Sequence, residues 1–172
     1  MVAGAARSTS TRVAVFAAYA AQGLGYAVVV TSLPALKQRQ GVDDTVVTLI
    51  VLGVAIAAAG GSVLANALAV RFGSRTALVV GLLLQAAALP AIALPTPFPL
   101  FVSLFAVYGI GLGCVDAATA MQGVIVQRAH GKPLLGGFFS AYTAAATAGA
   151  LLVSAIAASE QAGGPPAGGD GR

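Results

Sequence analysis

The chain has 172 residues, 58% of them hydrophobic and 8% charged, with a formal net charge of +4 and a mean hydropathy of +0.92. A water-soluble domain covers its surface with about 25% charged residues, so this composition excludes a soluble globule and makes lipid the main solvent. The basic excess forms no patch or recognition motif that would suit nucleic acid, and the single cysteine, Cys114, excludes an intrachain disulfide and a Cys-rich metal site.

Residues 1–12 are small and polar and read as a cytoplasmic N-terminus. Arg7 and Arg12 precede an apolar run, as in a signal peptide. The run continues to Leu36, however, which is long enough to span a bilayer, so the reading is an anchor and not a cleaved leader. The first predicted span is 13–36. Tyr19, Gln22 and Tyr26 share one of its faces at i, i+3 and i+7. They suit either the wall of a polar cavity or hydrogen bonding to neighbouring helices. The loop Lys37 to Asp44 balances its charges, and Asp43 or Asp44 is placed to cap the next helix.

The second span, 46–70, repeats Gly53, Ala57 and Gly61 every four residues, a stripe on which another helix could pack closely in lipid. A short basic turn follows. Gly73 can adopt positive φ to close one helix, and Ser74 can cap the next. Arg71 and Arg75 flank it and hold the turn out of the hydrocarbon. The third span, 76–94, has Gln85 as its one strongly polar side chain. Pro95, Pro97 and Pro99 then forbid a continuous helix and make an uncharged outer turn.

The fourth span, 100–126, is rich in glycine. Glycine costs about 1 kcal/mol in a soluble helix, so Gly109, Gly111 and Gly113 imply close backbone packing. Asp116, Thr119 and Gln122 follow on the same span. Asp116 is the one acidic or basic residue in any predicted span, and insertion costs of about 2.5–3.5 kcal/mol keep such a residue from lipid. With Gly109, Gly113 and Ala120 at i−7, i−3 and i+4, it is expected on the close-packed face. It reads either as a proton or substrate site, or as a packing group bonded to Tyr, Gln or Thr on a neighbouring helix. Arg128 to Lys132 form the second basic turn, where His130 is expected to be a solvated loop residue. The fifth span, 134–158, repeats Gly136, Ser140, Ala144 and Ala148, and residues 159–172 read as a disordered tail.

With the N-terminus inside, Arg7, Arg12, Arg71, Arg75, Arg128 and Lys132 are cytoplasmic, and Lys37, Arg39 and Arg172 are outside. Six against three follows the positive-inside rule. The expected location is therefore the cytoplasmic membrane, multi-pass.

The first basic turn resembles the signature loop of the major facilitator superfamily, roughly G-x-x-x-D-R-x-G-R-K between the second and third helices. Arg71, Gly73 and Arg75 match it, while Asn66 and Val70 replace its glycine and aspartate. Ser32-Leu-Pro-Ala-Leu36, the Gly-rich fourth span, Asp116, the stretch from Gln122 to Arg128 and the stretch from Gly131 to Phe138 occur in register with it. Together they resemble the fucose-permease-like branch of that superfamily over about 13–158. The resemblance implies an all-α membrane protein whose five or so transmembrane helices form most of a six-helix half. It also shows departures. The basic residue of many proton-coupled members would fall near Phe105, the Gly-Pro motif of drug antiporters is not seen in 142–154, and Ala120 and Phe139 stand where the branch implies asparagine and histidine. Drug/proton antiport is thereby disfavoured.

The resemblance implies an N-terminal portion of a secondary transporter for a small solute, read as a truncated member or one piece of a split transporter. The partners would be the lipid bilayer, a small-molecule substrate and a second chain supplying the missing helices. The alternative is a small integral membrane protein with an interaction or assembly role and no transport activity. No residue set suggests an enzyme, a cofactor or a metal site. The candidate site residues are Tyr19, Gln22, Tyr26, Asp116, Thr119 and Gln122 for the cavity and Arg71, Gly73 and Arg75 for the signature loop. Gly53, Gly61, Gly109 and Gly113 are the candidates for helix packing.

Overall fold

A computed structural model describes residues 2–131 and 133–162, with side chains for 11–129, 131 and 133–159. Five helices follow one another: α1 Val2–Gln40, α2 Asp44–Phe72, α3 Ser74–Ala93, α4 Phe98–His130 and α5 Leu135–Ala162. No strand occurs among the described residues. All five helices are long and apolar enough to cross a membrane, which satisfies every backbone polar group internally where there is no water to do so.

The helix ends show how the chain turns. α1 runs through Pro34 to Gln40, four residues past its expected end, leaving only 41–43 as a turn in place of the predicted loop. The reason lies in α3. Arg39 donates through Nη1 to the Ala93 carbonyl and through Nη2 to the Ile92 carbonyl, both at 2.6 Å, and Gln40 donates to Thr96 O at 3.1 Å. The last turn of α1 thus serves the free carbonyls at the end of α3, which have no intrahelical partner. Of the two acids expected to cap α2, Asp43 does so by accepting from Val46 N at 2.8 Å. Asp44 pairs with Lys37 at 2.5 Å in an exposed contact that stabilises little.

Gly73, at φ 91°, is the single residue between α2 and α3, and its N–H closes α2 on Ala69 O. Ser74 does not cap α3 as expected. Because α3 begins at Ser74 itself, the cap position falls on Gly73, and the Ser74 hydroxyl accepts instead from Gln122 Nε2 at 2.9 Å. Gly131 ends α4 in the left-handed region at φ 63°. The amide of Gln127 then fastens α5, its Oε1 accepting from Leu134 N at 3.1 Å and Leu135 N at 3.2 Å.

α4 is central, packing along α2 and α3 and also touching α1, while α5 packs chiefly on α1. Glycines let α2 and α4 meet backbone to backbone. A Cβ added at Gly113 would overlap the Ala58 carbonyl, one at Gly61 would overlap the Ile110 carbonyl, and one at Gly109 would stand 2.7 Å from Val54 O. In lipid such close packing replaces the hydrophobic drive that holds soluble helices together. At the far end, aromatic bulk takes over: Phe101, Phe105 and Tyr108 of α4 bury against Val29, Ile50, Ala88 and Ile92.

Two expectations about small residues are corrected. Gly53 packs against no other helix among the described residues, where a Cβ there would meet nothing within 4 Å. It borders an apolar groove of about 370 Å³ lined also by Phe98 and Phe105 of α4. On α5 the stripe Gly136, Ser140, Ala144 and Ala148 is exposed. The helix is oriented instead by Phe138, fully buried against Val15, Tyr19 and Val126, and by Gly149 against Leu24 and Ala27. Small residues mark grooves, but burying one large ring decides which groove is used. Residues 159–162, expected in the tail, are helical, since α5 continues to Ala162. Residues 163–172 lie outside the described residues, as does the side chain of His130.

Candidate functional site

α1, α4 and α5 enclose a cleft of about 400 Å³ lined by Tyr19, Gln22, Asp116, Thr119, Ala120, Phe139 and Tyr142. Four of the six cavity candidates meet there: Tyr19 and Gln22 from α1, Asp116 and Thr119 from α4. Asp116 does not sit on the close-packed face as expected. It is exposed to the cleft, because Gly109 and Gly113 are turned toward α2 while Asp116 is rotated toward α1 and α5.

Gln22 is the hub of the site. Its Nε2 donates to Asp116 Oδ1 at 2.9 Å, and its Oε1 accepts from Gln85 Nε2, also at 2.9 Å. A weaker contact of 3.5 Å runs from the same Nε2 to Leu112 O. Gln22 and Gln85 are 2% and 5% exposed, so their amides satisfy one another where water cannot. The result is a polar chain from α3 through α1 to α4, ending on a carboxylate open to the cleft.

The aromatic wall comes from α1 and α5. Tyr19 stacks on Phe138 with centroids 5.6 Å apart and meets Phe139 edge-on at 5.5 Å. The helices approach closely here, since a Cβ on Gly23 would overlap the backbone of Tyr142. Thr119 is tied to its own helix, donating to Val115 O at 2.7 Å.

Two candidates lie elsewhere. Tyr26, one turn beyond Gln22 on α1, is 44% exposed and does not line the cleft. Gln122 is buried and spends its amide on Ser74, tying α4 to the first basic turn. Gln85 and Tyr142 were missed as site residues. A lone amide in an apolar span was the available signal for Gln85, whereas nothing in the spacing marks Tyr142. Arg71, Gly73 and Arg75 form the turn itself. The Arg71 guanidinium lies 5.4 Å from the Phe72 ring centroid, and neither arginine joins an ion pair among the described residues. No cluster of metal-ligating side chains occurs among the described residues either.

Comparison with known families decides what this bundle is. The model of the Major Facilitator Superfamily matches residues 15–161, spanning all five helices. The chain belongs to the major facilitator superfamily. It is 30% identical over 154 residues to a Yersinia pestis protein named "Uncharacterized MFS-type transporter". That alignment covers 89% of this chain and 39% of the relative, so the chain spans about two-fifths of its length. No solved structure matches the chain.

Membership of the superfamily makes this an integral membrane protein of a transporter family, and the five-helix bundle agrees with most of one of its halves. Two residues singled out in the sequence acquire a place in this bundle. Ala120 and Phe139 both line the cleft, one facing it with a methyl group and the other with a ring.

Proposed function

We propose that this chain is the N-terminal portion of a secondary transporter, in or near the fucose-permease-like branch, that moves a small solute across the cytoplasmic membrane. Its N-terminus and both basic turns face the cytoplasm, in keeping with six basic residues on that side against three on the other. A second helical bundle, on the same polypeptide or another, completes the cavity. Superfamily transport needs two bundles rocking about a site near the midplane, and this chain matches 39% of its relative. The first bundle contributes Tyr19, Gln22, Asp116 and Thr119 to the solute site, and transport involves no covalent chemistry.

One observation carries this reading. Among the described residues, the sole carboxylate within the apolar body of the helices opens onto a cleft and is held by a buried amide chain. A packing role alone would leave a costly group facing an open space. The test is uptake of a radiolabelled solute panel by source cells lacking the coding region. We expect loss of uptake of at least one solute, restored by the wild-type gene and not by Asp116→Asn or Gln22→Leu. Full restoration by both variants would refute the assignment of the cleft.

A further inference from the structure

We propose that the cleft takes a small organic cation, a solute bearing a protonated amine, an inference that rests on reading the cleft as the solute site. The lining has an unbalanced charge. Asp116 is the acidic group of the cleft, and among the described residues no Lys or Arg lines it. Arg128 is the described cation nearest in sequence on α4, twelve residues away, or about 18 Å along the helix axis. The one protein donor to Asp116 is neutral: Gln22, itself anchored by Gln85. Its second carboxylate oxygen has no protein partner among the described residues. An amide orients a carboxylate but does not neutralise it, so this wall presents a negative group that a solute cation can meet with a charge-assisted hydrogen bond.

The remaining walls fit the same class of ligand. Tyr19, Phe139 and Tyr142 border the space, and aromatic faces attract cations, most strongly when these are desolvated. An ammonium group between Asp116 and these rings meets both a countercharge and ring quadrupoles. On this wall of the cavity a carboxylate or phosphate solute would meet a like charge and, among the described residues, no donor cation. A neutral solute would leave Asp116 unbalanced. The volume of about 400 Å³ lies in the range of small-molecule sites and suits a compact amine.

The experiment uses three matched probes, radiolabelled 2-phenylethylammonium, 2-phenylethanol and phenylacetate. Binding is measured on membranes from source cells making the full protein, with the signal of a deletion strain subtracted. We expect the ammonium probe to bind about tenfold tighter than its neutral isostere, with no binding of phenylacetate. Asp116→Asn should erase the preference, and Asp116→Glu, which keeps the charge, should retain most of it. Both variants must reach the membrane at wild-type levels, and Asp116→Glu supplies the reading where Asp116→Asn does not. Binding of the alcohol or the carboxylate as tightly as the ammonium overturns the cationic class while leaving the cleft as the solute site. Specific binding of none of the three by wild-type protein overturns both readings.

Discussion

Replacing Gly113 by alanine tests whether the α2–α4 contact holds the bundle together. A Cβ at Gly113 would overlap the Ala58 carbonyl and stand 2.8 Å from the Ala58 Cα. Ordinary carbon contacts need about 3.5–4.0 Å, so α2 and α4 must separate by on the order of 1 Å. Neither side can yield by a rotamer change, because both are backbone. Overpacking of this kind costs about 1–3 kcal/mol, and at about 2–4 °C per kcal/mol the melting midpoint should fall by several degrees. Gly53→Ala is the matched control on the facing helix. Its Cβ meets nothing within 4 Å, and removing a helical glycine there should be neutral or stabilise by about 0.5–1 kcal/mol. Gly61→Ala should behave like Gly113→Ala. The double variant should cost less than the sum, since either change already separates the same pair. The assay is thermal unfolding in mild detergent followed by size-exclusion fluorescence of a tagged chain. Equal stability of Gly113→Ala and Gly53→Ala would refute the packing argument.

Two further predictions concern orientation and a buried hydroxyl. Single cysteines replacing Thr76 and Ala129, both exposed, should resist an impermeant maleimide in spheroplasts, while one replacing Gln38 reacts. The native Cys114, fully buried, can stay, and labelling at Thr76→Cys from outside would reverse the topology. The Tyr108 hydroxyl is buried without a hydrogen-bond partner among the described residues, a state that costs about 1–3 kcal/mol. Tyr108→Phe keeps the ring among its apolar neighbours and should raise the melting midpoint. A fall instead would mean that the hydroxyl has a bonding partner in the membrane.

Much of the architecture was legible from the sequence because lipid enforces simple rules. Apolar runs had to be helices, since no other backbone satisfies itself in hydrocarbon, and five such runs gave five helices. Charges had to lie at their ends, and the spacing of Pro95, Pro97 and Pro99 had to break the chain. Gly73 at φ 91° fills the role its position suggested, and Asp43 caps α2. Each of these is a local constraint, decided by a few adjacent residues and the solvent around them.

What the sequence alone could not determine is the rotation of each helix about its own axis. Periodicity put Gly53 on the same stripe as Gly61, yet one faces a groove and the other the backbone of Ile110. It put Tyr26 with Gln22, although one turn is enough to carry Tyr26 out of the cleft. It put Asp116 with the packing glycines, whereas the bundle turns it toward α1 and α5. Lipid-facing and partner-facing residues are equally apolar here, so hydropathy carries no phase. The phase is fixed only when large side chains such as Phe138 find burial and buried amides such as Gln22 and Gln85 find each other. These are contacts between residues far apart in the chain, and the cleft exists only because they are made together.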